Sequence, residues 1–115
     1  MPKIFNKVVG DSGEDRATEF LKKNGYRIVR RNFKNKLGEI DVIAYDKEVL
    51  AFIEVKTRLS DTFGLPREAV NIQKQRKIRL VATSFIKTYK LFDKACRFDV
   101  VEVMPENIEI IKDAF

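Results

Sequence analysis

Three charged residues near the middle of the chain, Asp41, Glu54 and Lys56, have types and spacing suited to metal-assisted chemistry. The segment 49–57 alternates like a β-strand, so Glu54 and Lys56 share one face, beyond two apolar residues on that same face. A solvated strand face normally carries its charges along its whole length. The pattern therefore indicates a buried face that opens into a polar site at the end of the strand.

The neighbouring segment 38–45 has the pattern of a second strand, joined to the first by the short polar turn Asp46-Lys47-Glu48. Two registers of this hairpin place Asp41 either diagonal to Glu54 or directly opposite it, with the β-carbons about 5–8 Å apart. A register slipped by one residue would turn Asp41 to the other face and remove the cluster. Two carboxylates this close repel each other unless positive charge lies between them, which favours a divalent cation and a lysine.

Two residues on predicted helices are further candidates for the same site. Glu14 shares one helix side with Ala17 and Leu21, and a carboxylate on a core-facing side normally needs a partner. Gln75 lies one turn before the apolar stripe of the second predicted helix. A polar side chain at that position can reach the site from above the sheet.

Each of these residues also has an ordinary explanation that the sequence leaves open. Glu54 and Lys56 could form a charge pair on an edge strand, and Asp41 could cap a turn. Glu14 could stabilise a helix as an acid in its first turn, and Gln75 could be an exposed helix glutamine. The combination of these residues is what favours a functional site.

The composition narrows the chemistry that such a site can perform. The chain has no histidine and one cysteine, which excludes Cys/His zinc sites and Ser-His or Cys-His triads. Any general base must then be a carboxylate, a lysine or a metal-bound hydroxide. Oxygen ligands favour magnesium, manganese or calcium over zinc. The net charge of +6 suits an anionic partner such as nucleic acid, although charge alone also promotes solubility.

The 115 residues are expected to form one domain, 1–115. A first helix is predicted from Asp11 or Ser12, with Ser12 as its N-cap, to Asn24-Gly25. Strands are predicted at 26–33, 38–45, 49–57, 98–103 and 108–111, with a loop at 59–66 and a long helix from about Arg67 to Tyr89. This order predicts an α/β domain with a mixed sheet and helices packed on it.

Neither a membrane span nor a signal peptide is predicted from the sequence. No apolar run approaches the roughly 20 residues that a membrane span needs, and the first residues have no apolar stretch of signal-peptide length. We therefore expect a cytoplasmic protein with no membrane partner.

The chain also resembles a known family in an ordered series of short motifs between about Val8 and Val103. The motifs are Gly13-Glu14, Gly25-Tyr26, Arg31-Asn32-Phe33, Gly38-Glu39-Ile40-Asp41-Val42-Ile43-Ala44, Phe52-Ile53-Glu54-Val55-Lys56-Thr57-Arg58 and Arg97-Phe98-Asp99-Val100-Val101. They are similar to those of the YraN-type family, which belongs to the restriction-endonuclease-like PD-(D/E)xK nucleases and is related to archaeal Holliday-junction resolvases. Ile40 stands where the bare superfamily pattern has proline, a residue that many members lack.

This resemblance implies a restriction-endonuclease-like fold with the order α-β-β-β-α-β-β, and it implies roles for individual residues. Asp41 and Glu54 would bind Mg²⁺ or Mn²⁺, with the backbone carbonyl of Val55 as a third ligand. Lys56 would position or deprotonate the attacking water. Glu14 would be an additional acid of the site.

The resemblance transfers the remaining roles more loosely. Gln75 would be a polar helix residue of the active site. Independently of the resemblance, basic side chains near such a site could hold the phosphates of DNA, or less readily of RNA. The candidates are Arg31 and Lys34 in one basic run, Lys74 in a second run at a predicted helix start, and Arg58 directly after the strand that carries Glu54 and Lys56. For any single one of them, a solvated face is the simpler explanation.

Three functions remain open at this point. The leading expectation is a metal-dependent DNA endonuclease, with branched or single-stranded DNA preferred by analogy with the resolvases. The alternatives are a catalytically weak or inactive nucleic-acid-binding domain, and a regulatory metal-binding module that acts on RNA or protein. Resolution of a four-way junction would require a two-fold homodimer, which the sequence does not establish.

Overall fold

The computed structural model describes residues 3–58 and 70–115, with side chains described from residue 13 onward. Its elements are α1 (Lys3–Lys23), β1 (Tyr26–Asn35), β2 (Gly38–Asp46), β3 (Val49–Thr57), α2 (Ile72–Tyr89), β4 (Cys96–Val103) and β5 (Ile108–Ile111). The predicted order of helices and strands is confirmed. The loop predicted at 59–66 lies outside the described residues.

The strands form one five-stranded mixed sheet in the order β1-β2-β3-β4-β5. Neighbouring strands pair antiparallel except β3 and β4, which pair parallel. A parallel pair needs a long crossover connection, and the segment that contains α2 supplies it. The expectation of a mixed α/β sheet with packed helices is therefore confirmed.

The two helices cover opposite faces of this sheet. Leu50 and Phe52 of β3 belong to the apolar cluster that includes α2, whereas Ala51 and Ile53 belong to the cluster that includes α1. Consecutive strand residues point to opposite faces, so each helix has its own half of the core. The apolar stripe predicted for α2 is confirmed at Ile78, Val81, Ala82 and Phe85, which are buried. Ile86, also predicted on the stripe, is half-buried, and Tyr89 at the end of the helix is exposed. None of the described helices has both the length and the apolar content of a membrane span.

The predicted start of the first helix is wrong. α1 begins at Lys3, so Ser12 lies inside the helix and is not its N-cap. A serine favours a helix start but does not exclude helical residues before it, and no proline interrupts residues 3–11.

The second helix begins at Ile72, later than the predicted Arg67, because Asn71 caps it. The Lys74 backbone N–H donates to Asn71 Oδ1 at 2.8 Å. Two strands are each longer than predicted by two residues: β1 continues to Asn35 and β4 begins at Cys96. The additional residues take part in the pairs Asn35–Gly38 and Cys96–Leu50 of the sheet.

Candidate functional site

The hairpin of β2 and β3 adopts the second of the two registers that the sequence allows. Val42 pairs with Ile53, and the next step along the ladder sets Asp41 opposite Glu54. Backbone pairing of the two strands ends there, and the Val55 N–H donates instead to the Asp41 side chain, at 2.8 Å from Oδ2. The two carboxylates therefore face each other where the strands part.

Both carboxyl groups are largely removed from water. Glu54 is 6% exposed. Burial and the charge of Glu54 raise the pKa of Asp41 to about 7, against the opposing effect of the hydrogen bond from Val55, and Glu14 adds a smaller increase. At neutral pH Asp41 is therefore partly protonated in the metal-free protein, and a cation between the carboxylates would displace that proton.

Two lysines lie beside Glu54 and differ in their electrostatic surroundings. Lys74 of α2 places its Nζ 2.8 Å from Glu54 Oε1. Burial opposes protonation of Lys74, but the hydrogen bond to Glu54 and the negative charges of Glu54 and Asp41 together outweigh it, and the pKa of Lys74 is raised. Burial and the neighbouring charge of Lys74 lower the pKa of Lys56. One lysine is held protonated, and the other is made easier to deprotonate.

Glu14 approaches the site from α1. Because α1 begins at Lys3, Glu14 lies well inside the helix, and the explanation of this residue as a first-turn acid is wrong. The Glu14 carboxylate lies 3.6 Å from Arg31 Nε and contributes to the raised pKa of Asp41. Its neighbour Gly13 is buried against the end of β3, where an added Cβ would lie 2.5 Å from the Thr57 hydroxyl.

A cavity of about 210 Å³ opens over the two carboxylates. It is lined by Gly38, Glu39, Asp41, Glu54, Lys74, Lys77 and Ile78. A second cavity of about 300 Å³ is lined by Asn71, Gln73, Lys74 and Lys77. Lys74 and Lys77 line both, so the two cavities adjoin at a shared cationic wall, and together they are called the groove.

The other predicted helix residue, Gln75, is directed elsewhere. Its Nε2 donates to the backbone carbonyl of Val70 at 2.8 Å, which ties the start of α2 to the residues before it. Gln75 is also not among the residues that line the groove. Its assignment as an active-site residue stays a prediction.

The predicted phosphate-binding residues are distributed over the molecule. Arg31 forms an ion pair with Asp15 at 2.8 Å in addition to its contact with Glu14. Arg58 Nε lies 2.6 Å from Glu102 Oε2, joining the residue after β3 to the neighbouring β4. Lys34 is exposed on the edge strand β1. Lys74 is the one of the four that lies beside the carboxylate pair.

The sequence did not predict the contact of Lys74 with Glu54, nor the position of Lys77 in the groove wall. A signal was available, because Lys74 lies four residues before the buried Ile78 and therefore on the side of α2 that faces the sheet. The residue predicted to reach the site from this helix was instead Gln75, the next residue along the same turn.

The donor atoms suit a hard divalent cation. Asp41 and Glu54 provide facing carboxylates, and the Val55 carbonyl points to the same side of β3 as its N–H, which already contacts Asp41. Among the residues that the structure describes, no three acidic or cysteine side chains gather into a complete metal-binding group. A pair of carboxylates leaves coordination positions for water, as Mg²⁺ prefers, so the residues fit this type of ion.

The fold and the site define a mixed α/β domain with a paired-carboxylate and lysine site, and comparison with known proteins gives its family. Residues 13–103 match the "Uncharacterised protein family UPF0102", and the chain belongs to this family. The UPF0102 protein of Caldicellulosiruptor saccharolyticus is 48% identical over 113 residues, which cover 93% of this chain and 96% of the relative. The UPF0102 protein of Clostridium acetobutylicum is 50% identical over 117 residues, covering 96% of each chain.

A solved structure shares a distant likeness with the chain. The crystal structure of SSO0001 aligns with a TM-score of 0.46 and 20% identity, covering 94% of this chain and 52% of the other. The chain therefore spans about half the length of that solved protein.

Proposed function

We propose that this chain is a Mg²⁺- or Mn²⁺-dependent endonuclease-type domain of the restriction-endonuclease-like PD-(D/E)xK class that hydrolyses phosphodiester bonds of DNA in the cytoplasm. The observation that supports it most is the register that sets Asp41 opposite Glu54 where β2 and β3 part. A divalent ion bound there would lower the pKa of a bound water and offset the charge of the scissile phosphate.

The residues of the site have complementary roles in this proposal. Asp41 and Glu54 would hold the ion, with the Val55 carbonyl as a third ligand. The hydrogen bond from the Val55 N–H fixes one Asp41 oxygen, so this carboxylate is oriented in advance. Lys56, whose pKa is lowered by burial and by Lys74, is suited to orient or deprotonate the attacking water.

The surroundings of the site support an anionic polymer as substrate. Lys74 and Lys77 line the groove, and the chain has a net charge of +6. Such charges attract phosphates without reading the base sequence, and Arg31, Lys34 and Arg58 are candidates for flanking phosphates. The preference for branched or single-stranded DNA comes from the resemblance to the resolvases, and junction cleavage would require a homodimer.

Cleavage of labelled single-stranded, branched and duplex DNA, with Mg²⁺ or Mn²⁺ against EDTA, tests the proposal. Asp41→Ala and Glu54→Gln are expected to lose cleavage by at least about 10²-fold, because each removes an ion ligand. Glu48→Gln, an exposed acid in the turn of the same hairpin, is the matched control and should retain it. No cleavage of any substrate by the wild type, or undiminished cleavage by Asp41→Ala, would refute the proposal.

A second candidate is a catalytically weak or inactive nucleic-acid-binding domain of the same fold. It is favoured by the ion pair of Lys74 with Glu54 and by the lack, among the described residues, of a third acid completing a metal-binding group. This candidate predicts salt-dependent DNA binding that Asp41→Ala leaves unchanged, with no metal-dependent cleavage.

A further inference from the structure

We propose that Lys74 is the counter-ion of Glu54 in the metal-free protein, that a divalent cation must displace it, and that the displaced ammonium then contacts a substrate phosphate. This inference rests on the proposed function and extends it, because it gives one lysine two successive partners in the same groove.

The first observation is the contact itself. Lys74 Nζ lies 2.8 Å from Glu54 Oε1, and the side chain of Glu54 is 7% exposed whereas that of Lys74 is 40% exposed. A buried carboxylate needs a nearby positive charge, since water cannot reach it well enough to replace one. The lysine is the more exposed partner, so it is the one that can leave.

The second observation is that the lysine already contacts one oxygen, Oε1, of the Glu54 carboxylate that a cation would also use. A divalent ion bound between Asp41 and Glu54 would meet the Lys74 ammonium at short range, where like charges repel strongly in a partly buried site. The ion and the ammonium therefore compete for Glu54. The cation binds only as the lysine side chain withdraws.

The third observation limits where the displaced lysine can go. The Lys74 backbone N–H is bonded to Asn71 Oδ1 at 2.8 Å, which holds the main chain at the start of α2. Only the flexible side chain is left to move, and Lys74 lines both halves of the groove together with Lys77. The freed ammonium thus remains in the groove, within reach of a bound phosphate.

Direct measurement of Mn²⁺ binding tests the competition without relying on cleavage. Lys74→Met removes the charge and keeps most of the chain length, and Lys77→Met makes the same charge change in the same groove. Titration followed by the electron paramagnetic resonance of free Mn²⁺ should show that Lys74→Met binds Mn²⁺ about three- to tenfold more tightly than wild type. Lys77→Met should stay within about twofold, because no ion pair of the described residues joins Lys77 to Glu54.

Thermal unfolding gives a second readout. In EDTA, Lys74→Met should unfold at a lower temperature than Lys77→Met, because Glu54 is left buried without its counter-ion. Saturating Mn²⁺ should remove this difference, since the cation then occupies the place of the lysine. A difference that persists in Mn²⁺ would contradict the exchange of partners.

The transfer to phosphate is tested with a cleavage-resistant single-stranded oligonucleotide. Lys74→Met should lose affinity for the oligonucleotide only when Mn²⁺ is present, because Glu54 holds the ammonium in EDTA. Lys77→Met should lose affinity equally in both conditions. Equal losses by Lys74→Met in both conditions would overturn the second half of the inference.

The outcomes separate this inference from the proposed function. If the wild type binds Mn²⁺ and Lys74→Met binds it no more tightly than Lys77→Met does, the inference is wrong and the proposed function stands. If the wild type binds no divalent ion, the proposed function fails and the inference fails with it. Lys74→Gln, which keeps a polar chain against Glu54, serves under the same criteria if Lys74→Met does not fold.

Discussion

Two polar clusters are built into the sheet, and each has an aspartate largely removed from water. In the first, Asp99 is fully buried and accepts hydrogen bonds at both carboxylate oxygens. Oδ1 receives Arg97 Nε and the Asp113 backbone N–H at 2.8 and 2.9 Å, and Oδ2 receives the Tyr26 hydroxyl and the Arg97 guanidinium, both at 2.9 Å. The second cluster contains Asp41, whose facing neighbour is another carboxylate.

The two clusters differ in how many hydrogen-bond donors and positive charges contact the buried aspartate. Asp99 has a guanidinium and two further donors, which leaves no role for an added cation. Asp41 has one backbone donor, and burial together with Glu54 raises its pKa to about 7. A saturated cluster stabilises the fold, whereas the Asp41 carboxylate, with one backbone donor, leaves room for additional positive charge.

The saturated cluster also accounts for two of the sequence motifs, Gly25-Tyr26 and the motif that begins at Arg97, that contribute no residue to the candidate site. Tyr26 stands at the start of β1, and Arg97 and Asp99 belong to β4, so their hydrogen bonds join strands that are not neighbours. Arg97 also contacts Asp46 at 2.8 Å at the end of β2. Burial and the charge of Asp99 raise the pKa of Tyr26, which keeps its hydroxyl a donor.

The largest effect is expected from breaking the saturated cluster. Asp99→Ala should lower the free energy of unfolding by about 3–5 kcal/mol, because it leaves the Arg97 guanidinium without its main partner. Tyr26→Phe removes a hydroxyl that donates to Asp99 and accepts from Arg97, and it should cost about 1–2 kcal/mol. Urea denaturation measures both, and a loss below about 1 kcal/mol for Asp99→Ala would show that the cluster does not hold the strands together.

The next effect concerns activity. Lys56→Ala should reduce metal-dependent cleavage by about 10²-fold or more while changing stability by less than about 0.5 kcal/mol, because the role proposed for Lys56 is in the chemistry. Lys112→Ala is the matched control, since Lys112 contacts Asp46 in the other cluster. Cleavage rates and melting curves measured on the same preparations test the expected loss of cleavage and the expected unchanged stability. Intact cleavage by Lys56→Ala would remove this lysine from the mechanism.

A smaller effect of opposite sign is expected for Asp41→Asn. The pKa of Asp41 is about 7 in the fold against 3.8 without the fold, so wild-type stability falls as the pH rises between these values. At pH 8 in EDTA, Asp41→Asn should therefore be more stable by about 1–2 kcal/mol. Excess Mn²⁺ should remove the advantage, because only the wild type gains from the ion. A variant that is less stable than wild type in EDTA would contradict the electrostatic strain inferred here.

The smallest effect is expected for Asp46→Asn, the corresponding change in the saturated cluster. Hydrogen bonds from Arg97 and Lys112 lower the pKa of Asp46 below its ordinary 3.8. The carboxylate therefore contributes stability at neutral pH, and this contribution disappears as the pH falls below about 4. Asp46→Asn should cost less than about 1 kcal/mol at pH 7. Unfolding at pH 7 and pH 3 should show the difference from wild type shrinking at the lower pH.

Features that depend on neighbouring residues were predictable from the sequence. The alternation of β3 placed Glu54 and Lys56 on one face, and two of the registers considered for the hairpin brought Asp41 to that face. The structure has one of these two, and not the one-residue slip that would have removed the cluster. The apolar stripe of α2 followed from its helical spacing. The resemblance added the expected roles at the site, which stay predictions.

Features that depend on how separate elements meet were not predictable. The contact between Lys74 and Glu54 depends on where α2 lies over the sheet, and helical spacing alone does not predict that position. Tyr26 and Asp99 are 73 positions apart, and no local pattern relates them. The start of α1 at Lys3 was not predicted, because Ser12 has the features of an N-cap and yet lies inside the helix.

Gly13 places a limit on how far this protein can be stabilised. Replacement of a helix-interior glycine by alanine ordinarily gains about 1 kcal/mol, and such changes are a standard route to thermostable variants. Here the added methyl group would meet Thr57 at the end of β3, so Thr57 must rotate or α1 must retreat. A retreat would carry the adjacent Glu14 away from Asp41. Unless Thr57 rotates, a more stable α1 therefore comes with a displaced Glu14.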